Sequence, residues 1–115
     1  MVNIKKILKD TLSNSEILNL TADKKVYFLH ANAPTSPYIE YEIFDESGQE
    51  WAENKEIATN YYVQVDIFSK GDYTNLENKI KEVMESAGFN RTSCVGLYEN
   101  DTQLNHCAMR FLITL

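Results

Sequence analysis

Ile57-Ala58-Thr59-Asn60-Tyr61-Tyr62-Val63-Gln64-Val65-Asp66-Ile67-Phe68 is the longest strand-forming run in the chain. β-Branched and aromatic residues dominate it, and such residues suit a pleated surface whose side chains alternate between two faces. Ile57, Thr59, Tyr61, Val63, Val65 and Ile67 fall on one face. Ala58, Asn60, Tyr62, Gln64, Asp66 and Phe68 fall on the other, which is more polar. Tyr61 and Tyr62 therefore point in opposite directions, and one of them is exposed unless both faces are covered.

Upstream, residues 38–44 repeat the pattern. Ile39, Tyr41 and Ile43 alternate with Glu40 and Glu42, which predicts a strand with one buried and one solvated face. Asp45-Glu46-Ser47-Gly48 reads as the turn that follows, with Gly48 free to take a positive φ. Residues 31–37 hold both prolines, Pro34 and Pro37, and read as a loop preceded by a short strand over 26–29. Ile4, Ile7, Leu8 and Leu12 recur at helical spacing, so residues 3–12 form an amphipathic helix, and residues 15–18 add a short turn.

Downstream, Ser69-Lys70-Gly71-Asp72 ends the strand and a second helix begins. Thr74-x-x-Glu77 has the spacing of a capping box, with Asp72 as a competing cap. Leu76, Ile80, Val83, Met84 and Ala87 form its apolar stripe, Gly88 its stop, and Phe89 folds back onto the last turn. Two strands follow over 91–98 and 103–115. A two-residue turn at Asn100-Asp101 joins them in the register that sets Cys94 opposite Cys107 on the buried face. The expected fold is one α+β domain over residues 1–115. It has a mostly antiparallel four- to five-stranded sheet, with an N-terminal helix and a second helix packed on it. The return from the long strand through the second helix to the next strand allows one parallel pair there.

Composition narrows the classes of function. The chain has 115 residues, 43% of them hydrophobic, which suits one packed domain and not a disordered chain. Asp and Glu number 17 against 11 Lys and Arg, a net charge of −6, whereas a nucleic-acid grip needs clustered cations. The start of the sequence has no apolar run of a secretory signal, and no segment has the apolar length of a membrane span, so a cytoplasmic location is expected. Cys94 and Cys107 are then expected as free thiols.

Catalytic and ligand-binding patterns are sparse. Two Cys and two His, His30 and His106, lack the CxxC or HxxxH spacing of a zinc site. Glu40 and Glu42 read as a solvated sheet face, and His106 as outward-facing. Asp45, Glu46, Glu50, Glu53 and Glu56 make an acidic segment without the spacing of a calcium loop. Ser69-Lys70-Gly71-Asp72 sits between strand and helix, where phosphates often bind, but lacks the P-loop glycines. No motif marks a nucleophile, so no enzyme, no catalytic residue, no metal and no cofactor is expected. Trp51, among polar residues, is either an interface anchor or a cap on the end of the core.

Two longer stretches carry a resemblance. They are PYIEYEIFDESGQEWAENKEIATNYYVQVDIFSKGDYTNLENKIKEVMESAGF at 37–89 and LYENDTQLNHCAMRFLITL at 97–115. A Pro-Tyr-Ile-x-Tyr strand comes before an acidic hairpin, and a Tyr-Val-Gln-Val-Asp-Ile-Phe-Ser strand leads to a helix ending in Ala-Gly-Phe. A Tyr-Glu-x-Asp-Thr stretch then precedes a Met-Arg-Phe strand. In this the chain resembles the tail-completion, or tail-terminator, proteins of long-tailed (siphovirus-type) phages and prophages of Gram-positive bacteria, over about two-thirds of its length.

The resemblance implies a structural protein that forms a ring, commonly a hexamer, with other copies of itself. That ring caps the head-proximal end of the tail tube, ends tube polymerisation and joins the head side. Its implied partners are the tail tube protein and the head-side connector protein, while DNA passes through without specific binding and no membrane is involved. The implied location is the host cytoplasm during assembly and then the virion tail. Rival readings are a head-completion adaptor or stopper, and a small non-enzymatic ligand-binding or regulatory protein. Because like charge on a lumen keeps DNA from sticking, the acidic segment 45–56 is expected at the lumen or at an assembly contact. Asp45, Glu46, Glu50, Trp51 and Glu53 are its candidate residues.

Overall fold

The computed structural model describes residues 2–53 and 55–115, apart from the side chains of Gln49 and Glu50. Its elements in order are α1 (Ile4–Leu12), α2 (Ser15–Leu18), β1 (Val26–Phe28), β2 (Tyr38–Ala52), β3 (Lys55–Ser69), α3 (Thr74–Ser86), β4 (Asn90–Glu99) and β5 (Leu104–Thr114). The strands form one five-stranded sheet in the order β1-β2-β3-β5-β4. Every ladder is antiparallel except β1 with β2. The α+β class and the mostly antiparallel sheet are thus as the sequence predicts.

The parallel pair is not where the sequence places it. β3 and β4 do run in the same direction, on either side of α3, but β5 lies between them and bonds to both. The parallel ladder belongs instead to the three-residue β1, where Val26 lies beside Ile39. β5 wins the central position because it is the more apolar strand. Cys107, Met109, Phe111 and Ile113 are all buried, whereas β4 is almost wholly exposed.

The helices cover one face of this sheet. Leu8 and Leu12 of α1, Ile17 of α2, and Leu76, Ile80 and Met84 of α3 meet Ile39, Tyr41, Val63, Val65, Ile67, Met109 and Phe111 in one core. Removing this apolar surface from water is the main driving force of the fold, at about 25 cal/mol per Å². α3 stops as predicted. Gly88 has φ 99°, and Phe89, buried, donates its N–H to Met84 O at 3.0 Å. Its start differs. The cap position is Tyr73, which makes no side-chain cap bond, and Asp72 just before it accepts from the Thr74 N–H at 2.9 Å and from its hydroxyl at 2.5 Å. The capping box does not form, because Glu77 turns to Lys81 at 2.6 Å and to the Cys107 thiol at 3.4 Å.

The expected turn at 45–48 is absent. β2 runs straight through it to Ala52, which pairs with Lys55. The sequence Asp-Glu-Ser-Gly is absorbed by register shifts between Ile43 and Asp45 and between Gly48 and Glu50. Such bulges place an extra residue on one strand and increase its twist. The resulting hairpin outruns its neighbours. β5 pairs with β3 up to Asn60, backbone bonds between Thr59 and Leu115 close the ladder, and beyond them β3 has only β2 beside it among the described residues. Gly48–Ala52 and its partner strand thus project as a two-stranded arm of roughly 16 Å, at about 3.3 Å per residue. The molecule measures 51 × 28 × 23 Å.

The final hairpin also departs from expectation. Four residues, 100–103, join β4 to β5, with Gln103 left-handed at φ 60° and its N–H bonded to Glu99 O at 2.8 Å. The longer loop moves the register by two, so Cys94 lies opposite Met109 and Gly96 opposite Cys107. A shift of two keeps each side chain on its face. Both cysteines still point into the helix-covered side, now as diagonal neighbours with sulfurs 3.7 Å apart.

Candidate functional site

The arm collects most of the residues singled out in the sequence. Asp45 and Glu46 are exposed at its root, and Trp51 and Glu53 are exposed near its tip. The backbone of Glu50 pairs with Ala58, while its side chain lies outside the described residues. Trp51 does not cap the core. It is 62% exposed, with its indole resting on Gly48, where an added Cβ would stand 2.5 Å from Cζ2. Glycine at 48 is what lets the ring lie down on the strand. Ile57, 59% exposed, adds a second apolar side chain, on the less polar face of β3. Its alternation is right, but the helices end before reaching it.

The arm is also acidic. Asp45, Glu46 and Glu56 are exposed there, and the Thr59 hydroxyl donates to Glu56. Beyond β1, which reaches only to Tyr41, the outer edge of β2 has no strand beside it among the described residues. At the opposite side of the sheet β4 is the other edge. Val95, Leu97 and Tyr98 are exposed along it. The two edges differ in charge and in side chains.

The second sheet face is less open than the sequence predicts. The loop over 29–37 folds across it, and Ala31, Tyr38, Phe68 and Leu104 form a small second core. Phe68 stacks on Tyr38 at 4.8 Å and on His106 at 4.3 Å. Glu40 is no solvated carboxylate. Its side chain is 15% exposed and accepts the Ala31 N–H at 2.8 Å, holding the loop down. His106 occupies the predicted face but is enclosed. Its Nε2 meets Asp66 at 2.7 Å and its Nδ1 lies 3.6 Å from Glu99. Gln64 donates to the same Asp66 carboxylate at 2.9 Å and accepts from Arg110 at 2.9 Å. Among the described residues no buried side-chain polar atom lacks a partner. The polar groups of this face are occupied with each other, which is the pattern of a structural network.

The loop after β3 is likewise internally bonded. The Gly71 N–H donates to the Ser69 hydroxyl at 3.2 Å, and the Asn105 amide donates to Gly71 O at 3.2 Å. Under α3 lies the one group with metal-ligating chemistry among the described residues. The ligand atoms of Glu77, Cys94 and Cys107 all fall within 4.8 Å of one another. Spacing rules missed it because the three residues come from a helix and two strands. Burial, with the neighbouring Cys94 and the Glu77 carboxylate, pushes the Cys107 thiol far up from its ordinary value. The Lys81 ammonium, helped by the Cys107 thiol and by Arg91, outweighs burial and holds the Glu77 carboxyl below its ordinary value. No helix among the described residues is long and apolar enough to cross a membrane. No family model matches the chain, and no curated protein matches it.

Proposed function

We propose that this chain is a non-enzymatic assembly subunit that works as a tail terminator. In this reading several copies form a ring, a hexamer in the commonest arrangement, on the head-proximal end of a phage tail tube. The ring ends tube polymerisation and presents a surface to the head-side connector. The observation that carries the reading is the projecting arm, with exposed Trp51 and Ile57 set among Asp45, Glu46, Glu53 and Glu56. A two-stranded arm costs conformational entropy and buries little within its own subunit. An arm that exposes a Trp and an Ile together with several carboxylates has the composition of an interface anchor with a polar rim.

The two edges of the sheet support the same reading. A ring is built from a heterologous contact, in which one surface of a subunit meets a different surface of the next. The acidic edge of β2 and the more apolar edge of β4 are two such surfaces on one sheet. The net charge of −6 suits a passage that DNA traverses without sticking. Assembly would take place in the host cytoplasm and leave the protein in the virion tail.

The test is capping of purified tail tubes followed by electron microscopy. The expected result is a single ring at one end of each tube and arrested growth, lost on Trp51→Ala or on Glu46→Lys with Glu53→Lys. Tubes that lengthen equally with and without the protein would overturn the reading. Binding to the connector alone would reassign it as a head-completion adaptor.

A further inference from the structure

We propose that Cys94, Cys107 and Glu77 form a binding site for a thiophilic divalent cation of the zinc class. The geometry is the first argument. A tetrahedral zinc with bonds of about 2.3 Å to sulfur sets two thiolates about 3.8 Å apart, and a thiolate and a carboxylate oxygen about 3.5 Å apart. The Cys94 and Cys107 sulfurs are 3.7 Å apart, and Cys107 Sγ stands 3.4 Å from Glu77 Oε1. Two of the three edges thus match one coordination tetrahedron, and the third, from Cys94 to Glu77, is within 4.8 Å. Water would supply the fourth ligand, and the Tyr73 hydroxyl lies nearby over Gly96, the residue opposite Cys107.

The surroundings fit the ion as well. Glu77 keeps one oxygen toward the thiols while the other is fixed by Lys81 at 2.6 Å. That is the role of an outer partner that orients a metal ligand. Two thiolates and a carboxylate around a dication leave one net negative charge, and Lys81 and Arg91 both act on that carboxylate. Cys107 is buried, while Cys94 and Glu77 are only partly so, which gives an ion a way in. Binding breaks two S–H bonds and forms two metal–sulfur bonds. The two protons go to solvent, and no oxidation state changes. The ion would join α3 to β4 and β5 at the side of the core that is otherwise closed by the exposed edge strand.

Cobalt(II) is the probe, added to the full chain under a non-thiol reductant, with zinc as competitor. The expected result is one cobalt per chain, with the near-ultraviolet thiolate-to-metal band and the visible bands of a tetrahedral site. Zinc should abolish these bands and raise the melting temperature. Cys94→Ser should weaken binding by at least about a hundredfold and Glu77→Gln by about tenfold, since even outer partners of a metal ligand cost 10–100-fold. Cys107→Ser sits in the core and can fail to fold, so the two partly exposed positions carry the test. Absence of the thiolate band in the folded, reduced protein would overturn the site. Undiminished binding in Cys94→Ser would do the same, placing the ion elsewhere. Tube capping is not read in this experiment, so the site and the assembly role stand or fall separately.

Discussion

The two ends of the β2–β3 hairpin belong to one antiparallel ladder and lie in different surroundings. At the base, Ile39 faces Ile67 and Tyr41 faces Val65 beneath three helices, and all four are buried. On the arm, Trp51 lies across from Glu56 and Ala52 from Lys55, with no helix over them. One ladder therefore stabilises the fold at one end and presents a surface at the other. Alternation sets which side chains share a face. Only the reach of α1, α3 and β5 sets which part of that face is covered.

Substitutions at the base should be costly. Ile67→Ala removes a fully buried side chain beneath the helices and is expected to lower stability by about 2–5 kcal/mol. Urea unfolding measures it, and a loss under about 1 kcal/mol would show that the base is no better packed than the arm. Asp66→Ala, on the second face, strips His106 and Gln64 of their shared acceptor and is expected to cost about 1–3 kcal/mol. A smaller loss would mean that the loop over 29–37 leaves this face wet.

Acid sharpens the contrast from under the core. The Glu77 carboxyl is held below its ordinary value of 4.5, so its ionised form favours the folded state. That stabilisation is complete above about pH 4.5 and is lost as pH falls through the lower folded value. Glu77→Gln should flatten this acid limb of the stability profile, and an unchanged slope would remove Glu77 from the account. The smallest effect belongs to the arm. Trp51→Ala should leave the unfolding midpoint within about 0.5 kcal/mol of the parent while abolishing tube capping. A large loss of stability there would make Trp51 a core residue after all.

Much of this contrast was legible in the residues, and the rest was not for definite reasons. The apolar stripes of α1 and α3 repeat at helical spacing, and the stop at Gly88 is a local backbone event, so both read directly. Asp45-Glu46-Ser47-Gly48 has turn composition, yet β3 continues far enough to pair with it, and tertiary pairing overrode local preference. Strand order was hidden because β5 reaches its central place only through contacts distant in sequence. At the candidate site, the acidic arm was visible as composition, and its projection was not. The exposure of Ile57 depends on where the helices end, and the convergence of Glu77 on the thiols brings together residues 17 and 30 positions apart on α3, β4 and β5.

The place of β5 between β3 and β4 has a consequence for synthesis. β4 leaves the ribosome before the strand that will hold it, and β3, which precedes it across the helix, is not its neighbour in the finished sheet. Until β5 follows, β3 and β4 each show an open edge, and the core lacks Met109 and Phe111. The sheet can be completed only once β5 lies between these two strands. Such non-local closure is slow, and nascent chains with open strands are prone to pair with one another. The order of translation thus leaves the core and the inner edges of β3 and β4 incomplete until β5 has been made.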